Sequence, residues 1–446
     1  MTGRLRLEGW KRAYAVVLCL VVLAAGGIAW TQWQGRAERS VTLLGNWTGA
    51  DEARFKKEVL EPFEAEHGIS VVYQGSSAES QVLAADVEAG APPDVVIMPG
   101  PGELAEYAAL RRLKPLDGLF DPDHYGPMWT PRIAGGVYWV PVKVDLKSMV
   151  WYPAAVPEAD LPALARKPGE WCLALESGAT SGWPGTDWVE DVLLQQAGWR
   201  KYQDWATGRL SWKDDAVRQA WETWGGLVGA GDRKRVERAL LGGFADPWGG
   251  ERPTCTTQRL EHQASFVRAG GHWSAAEGRY VHSKALIPRA RKDLTAWEVS
   301  GDLAAMLRDT PEARALIRYL ADPGTARLGF TANRAVPEGA YAEDPAEGGN
   351  GSGKGGTGSG KGGTGSAKGG TDPTKGAIDA TLRGRGTMRC WDASDAMPPA
   401  MRDAFHQAAL RFLADPAELP ERLAVLEELR VRHRGAAWLP AVCGES

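Results

Sequence analysis

Residues 41–117 constrain the fold of this chain more than any other stretch. They read as strand, helix, strand, helix, strand, helix, and close on AGAPPDVVIMPGPGELAEYAALRRLKPLD. Val41-Thr42-Leu43-Leu44 and Ile69-Ser70-Val71-Val72-Tyr73 are short β-rich runs closed by glycine. Asp94-Val95-Val96-Ile97-Met98 is an apolar run bounded by prolines, the pattern of a strand covered on both faces. Between the first two, Phe55, Val59, Leu60 and Phe63 recur at helical spacing, and Glu52, Lys56, Lys57, Glu61 and Glu64 take the other faces. The alternation predicts an α/β fold with a parallel sheet covered by helices. In such sheets a ligand sits beyond the carboxyl ends of the strands. Three loops of small and polar residues fall at that edge: Gly45-Asn46-Trp47-Thr48-Gly49, Gly75-Ser76-Ser77 and Pro99-Gly100.

The chain has 446 residues, room for two or three domains. A net charge of −4 and the lack of a basic stripe with interleaved aromatics argue against a nucleic-acid partner. Twenty tryptophans exceed the usual share; core packing takes most, and a cleft that stacks sugar faces also uses them. No G-x-S-x-G elbow, phosphate-cradling loop or HExxH pattern occurs, so no catalytic residue is assigned. Cysteine and histidine spacing fits no metal site, and no cofactor is expected.

Ala13 to Trp30 is a run of 18 residues without a charge, long enough to cross a bilayer. Arg4, Arg6, Lys11 and Arg12 precede it and place the N-terminus in the cytoplasm. Residues 1–35 are therefore expected to be a tail and transmembrane helix, with a cleaved signal peptide as the alternative. Either way residues 36–446 lie outside the cytoplasm: single-pass at the cell membrane, or secreted after cleavage. Cys19 lacks the small residue that precedes a lipid-modified cysteine. Disulfides are expected among Cys172, Cys255, Cys390 and Cys443; three full pairings stay open, and a free Cys443 is the alternative.

Further along, Gly135–Val142 reads as a strand entering a crossover that continues through Val144–Pro153. Residues 154–282 are dense in tryptophan and helical patterns, such as Val217, Trp221, Trp224 and Leu227. Helical patterns follow at Leu303–Leu307, Ala313–Leu320 and 397–431. Residues 351–371 are three glycine-rich heptads, each with one lysine, inside a flexible insertion at 346–376.

Five segments taken in order resemble the extracellular solute-binding proteins of ABC importers, the carbohydrate-binding family 1, α-glucoside type. They are Asn46-Trp47-Thr48-Gly49, Ala89–Val96, Gly135–Val142 with Val150-Trp151-Tyr152, Ser181–Trp188, and Asp392–Pro398. The resemblance covers about residues 41 to 431 apart from the glycine heptads. It implies a two-lobed, periplasmic-binding-protein-like fold (type II) with crossing interlobe strands that closes like a hinge. Lobe 1 would use 41–145 and 283–335, and lobe 2 would use 146–282 and 336–446. The implied function is capture of a carbohydrate outside the membrane and delivery to ABC permease subunits. A membrane-anchored carbohydrate enzyme or a sugar sensor is the alternative.

A sugar site needs an aromatic plate and a rim of carboxylates or amides. Trp47, Trp183 and Trp188 are expected as plates, and Asp187, Asp302 and Asp395 as rim residues. Glu79 and Trp273 complete the candidate set. Helix capping is the competing role for Asp187, Asp302 and Asp395.

Overall fold

The computed structural model describes residues 39–244, 254–262, 278–325, 329–337 and 373–445. Residues 13–30, Trp273 and the glycine heptads lie outside them. Among the described residues, no helix is long and apolar enough to cross a membrane.

The N-terminal units form as their periodicity predicts. Strand β1 (Ser40–Gly45) is followed by α1 (Gly49–Phe55), a π-helical turn (Lys56–Leu60) and α2 (Glu61–His67). Phe55, Val59, Leu60 and Phe63 all point into the core. Gly68, with φ of 61°, ends α2 in the left-handed conformation that glycine adopts without strain. Then come β2 (Ser70–Gly75), α3 (Glu79–Glu88), β3 (Val95–Met98) and α4 (Pro101–Ala109). Strands β2 and β3 both pair with β1 in parallel.

The next strand, β4 (Trp139–Leu146), begins four residues later than the sequence reading placed it, because Gly136 and Ile133 close a turn first. Lys147 and Ser148 separate β4 from β5 (Met149–Pro153). Ser148 has φ of 58°, a conformation costing a non-glycine residue roughly 1–2 kcal/mol. Its hydroxyl donates to Asp191 Oδ1 at 2.7 Å and accepts the Glu298 N–H at 3.0 Å, which holds the kink.

Helix α5 (Leu161–Ala165) and β6 (Trp171–Cys172) lead to α6 (Trp183–Ala197), α7 (Trp199–Ala206), α8 (Asp215–Val228) and α9 (Arg233–Leu241). Strands β7 (Leu260–His262) and β8 (Gly278–His282) join β5 and β6 in a four-stranded sheet ordered β6-β7-β5-β8.

Strand β9 (Ala296–Met306) organises the larger sheet. One edge pairs with β4 through residues 299–305. The opposite edge pairs with β3, antiparallel, through 303–306, and with β10 (Met388–Trp391), parallel, through 296–299. The sequence pattern predicted a helix at Leu303–Leu307. Residues 299 and 301–306 are buried on both faces, so the strand shows no alternation to read.

The remaining helices are α10 (Pro311–Ala321), α11 (Pro373–Arg383), α12 (Ala393–Ala396), α13 (Pro399–Ala414) and α14 (Leu419–Arg432), and β11 (Cys443–Glu445) closes the sheet beside β10. The C-terminal segment thus divides. Its strands enter the larger sheet, while α13 packs on α6 and α14 on α8. Trp205, Trp212, Trp221 and Trp224 pack edge-on, tilted or stacked against Phe405 and Phe412, with centroids 4.9–5.6 Å apart. Cys172 bonds Cys255, and Cys390 bonds Cys443, which selects one of the three pairings and removes the free Cys443.

Candidate ligand-binding site

At the carboxyl end of β1, Trp47 is half-buried with its ring edge on Phe55, 4.6 Å between centroids. Tyr73 at the end of β2 donates from its hydroxyl to the Trp47 carbonyl at 2.9 Å. A Cβ at Gly75 would lie 2.3 Å from that carbonyl, so only glycine lets the two strand ends approach. Asn46 donates from Nδ2 to Asp302 Oδ1 at 2.8 Å. Lys143 binds Asp145 at 2.7 Å and reaches Asp302 at 3.7 Å. Burial raises the Asp302 carboxyl above its ordinary range, and Lys143 opposes the rise. Glu79 opens α3 and is buried. Burial, with the Glu103 carboxylate adding to it, pushes Glu79 up to about 7.

A second group forms around the start of α6. Gly182 has φ of 107°, and a Cβ there would lie 2.5 Å from the His406 carbonyl oxygen, so the position takes no side chain. Trp183 follows, half-buried, with its ring against Phe244 at 4.3 Å and Lys147 Nζ 5.6 Å from its centroid. One turn on, Asp187 Oδ2 lies 2.9 Å from Lys147 Nζ, which also pairs with Asp392 Oδ2. Asp392 caps α12, accepting from the Asp395 N–H at 3.0 Å and the Ser394 hydroxyl at 2.8 Å. Burial, reinforced by Asp392, pushes Asp187 up to about 8 despite Lys147. Asp392 goes the other way: burial would raise it, but Lys147 and its hydrogen bonds hold it well below the carboxylate range. Burial and the Asp392 charge raise Asp395.

Arg402 of α13 ties the two groups together. It donates to Glu103 at 3.0 Å, and its charge acts on both Glu79 and Asp395. The structure therefore gathers Trp47, Glu79 and Asp302 at one end, and Trp183, Asp187 and Asp395 at the other. Trp188 is elsewhere. It is 2% exposed, stacked on His262 at 4.3 Å and edge-on to Trp171 at 4.7 Å, so its expected role as a plate gives way to core packing. The capping roles weighed for three aspartates also fail. Asp187 lies inside α6, Asp302 lies within β9, and Asp392 rather than Asp395 caps α12. Trp273 lies outside the described residues.

Lys143, Lys147, Tyr73, Asp392 and Arg402 belong to this arrangement without having been singled out in the sequence. Lys147 did leave a signal: with Asp145 it is one of two charges inside the strand-like stretch from Val144 to Tyr152.

The sequence profile of a family described as bacterial extracellular solute-binding protein matches residues 46–240. The chain is 33% identical over 334 residues to the alpha-glucosides-binding periplasmic protein AglE of Rhizobium meliloti (strain 1021), spanning 64% of this chain and 69% of AglE. It is 30% identical over 311 residues to the osmoprotective compounds-binding protein GgtB of Synechocystis sp., spanning 64% of this chain and 72% of GgtB. In fold it resembles the bacterial solute receptor AcbH, with a TM-score of 0.62 over 90% of this chain and 99% of AcbH at 12% identity. A chitin oligosaccharide binding protein aligns with a TM-score of 0.60 over 89% of this chain and 98% of its own, at 14% identity.

Proposed function

We propose, for a chain that belongs to the bacterial extracellular solute-binding protein family, that it captures a carbohydrate and presents it to an ABC permease. The family binds solutes rather than transforming them, which sets aside the carbohydrate enzyme as an alternative. The α-glucosides named for AglE make a glucoside the first ligand to try. The observation that carries the reading is the pairing of each half-buried tryptophan, Trp47 and Trp183, with buried carboxylates. An aromatic face and carboxylates beside it are what a sugar ring and its hydroxyls require.

In this reading the ligand lies between a lobe of 41–145 with 283–335, completed by strands β10 and β11, and a lobe of 146–282 with helices α13 and α14. Its site residues are Trp47, Glu79, Trp183, Asp187, Asp302 and Asp395. Residues 13–30 hold the protein at the membrane, a role supported by their uncharged length and the preceding basic residues.

Thermal shift of the full-length protein against mono-, di- and oligosaccharides tests the proposal, because a ligand that binds only the folded state raises Tm. A shift with one sugar class, lost in Trp47→Ala, is the expected result. No shift with any sugar would overturn it.

A further inference from the structure

Four carboxylates and one lysine meet where the chain passes from the larger sheet to the smaller. Asp187 and Glu190 come from α6, Glu298 from β9, Asp392 from the end of β10, and Lys147 from the β4–β5 link. All five are buried. If every group is charged, Lys147 is the one cation among these five groups and faces four anions.

The hydrogen bonds cover only part of this charge. Lys147 serves Asp187 Oδ2 and Asp392 Oδ2. The Ala393 and Ser394 N–H groups serve Glu190. Among the described residues, both oxygens of Glu298 and Oδ1 of Asp187 have no hydrogen-bond partner, although Glu298 is 0% and Asp187 7% exposed. A buried carboxylate left in this state is strongly disfavoured unless something positive neutralises it.

The geometry is that of a cation cradle. One oxygen each from Asp187, Glu298 and Asp392 lie within 4.8 Å of one another. A single ion with metal–oxygen bonds of about 2.3–2.6 Å spans such a set. The donors are all carboxylate oxygens, with no thiolate and no imidazole among the three, which selects a hard cation. Calcium suits them better than magnesium, which demands stricter octahedral geometry and gives up its water reluctantly.

We propose that Asp187, Glu298 and Asp392 form a buried calcium-class cation site at the crossing between the two sheets. The ion takes Asp187 Oδ1 and a Glu298 oxygen, which have no partner among the described residues, shares the Asp392 carboxylate with Lys147, and ties β9 to α6 and to the end of β10. The kinked Ser148 lies on the same crossing, its hydroxyl accepting from the Glu298 N–H. A bound ion therefore fixes how the crossing strands are set.

Full-length protein dialysed against a chelator and then titrated with calcium chloride, without sugar, tests this apart from the carbohydrate reading. Elemental analysis is expected to find calcium in stoichiometric amount, and calcium is expected to raise Tm by several degrees. Glu298→Gln keeps the shape of the side chain and removes its charge. It is expected to abolish both effects while melting no lower than the metal-free wild type. Asp187→Asn serves the same purpose if Glu298→Gln does not fold. Absence of bound calcium, with superimposable melting curves, would overturn the site and leave protons as the neutralising charge. Calcium stabilisation undiminished in Glu298→Gln would overturn it as well, since the ion would then sit elsewhere.

Discussion

Asn46 donates from Nδ2 to Asp302 Oδ1 at 2.8 Å, which fastens the loop carrying Trp47 to the middle of β9. Removing the carboxylate frees the loop while Lys143 keeps Asp145. A hydrogen bond to a charged group contributes about 1.5–3 kcal/mol, so Asp302→Ala is expected to weaken sugar binding about ten- to hundredfold. Asp302→Asn retains an acceptor and should lose less. Calorimetric titration of both variants checks this; Asp302→Ala binding as tightly as wild type would dismiss the anchor.

Trp183 and Trp188 lie on one helix and should fail differently. Trp183→Ala is expected to lose ligand and keep most of its stability. Trp188→Ala empties a site between Trp171 and His262, and is expected to cost about 3–5 kcal/mol of folding free energy. Denaturant unfolding and ligand titration on each variant separate the two effects. Equal stability losses would show that Trp183 is core as well.

Glu79 sets a pH dependence with a definite sign. Its folded value, about 7, lies above its ordinary 4.5, so the folded state binds the extra proton in that window. Stability from this group is full below pH 4.5 and is lost as pH rises through 7. The loss amounts to about 3 kcal/mol. Glu79→Gln, which cannot ionise, should show a flatter stability profile than wild type between those limits and be the more stable protein at pH 8. Parallel profiles from denaturant unfolding would rule this out.

Two glycines within helices should respond oppositely to alanine. A Cβ at Gly102 in α4 would lie 2.2 Å from the Met397 carbonyl, and its other near neighbours are also backbone atoms. At Gly226 in α8 a Cβ meets nothing within 4 Å among the described residues. Gly226→Ala should stabilise by up to about 1 kcal/mol through helix propensity. Gly102→Ala should destabilise by about 1–3 kcal/mol through overpacking. The shift in denaturation midpoint gives both values, and a stabilised Gly102→Ala would show that α4 and the 395–397 segment part easily.

The first three strands were legible because each is short, β-rich or apolar, and bounded by glycine or proline. The helix at 215–228 was legible because Val217, Trp221, Trp224 and Leu227 keep a clean period. Strand β9 was not. Leu303-Ala304-Ala305-Met306 has strong helix formers and no alternation, and pairing with β3 and β4 overrides that local preference. At the site, Trp47 could be picked out as an aromatic residue in a glycine-containing loop, and Trp183 as one that directly follows Gly182. Trp188 could not be told from Trp183 without the direction each takes from α6. The cluster around Lys147 was hidden for another reason: Asp187, Glu298 and Asp392 come from segments that only the tertiary fold brings within reach of one another.

The place of β9 also orders events during folding. Val95 pairs with Met306 and Met98 with Leu303, so residues 99–295 must be made before β3 gains its second neighbour. Until then β1, β2 and β3 form a fragment with an open, apolar edge. Closing so long a loop is slow, and an exposed strand edge of this kind invites pairing with another chain. A newly made chain crossing a membrane in extended form would be spared that hazard, since neither half of the sheet has folded before the other arrives.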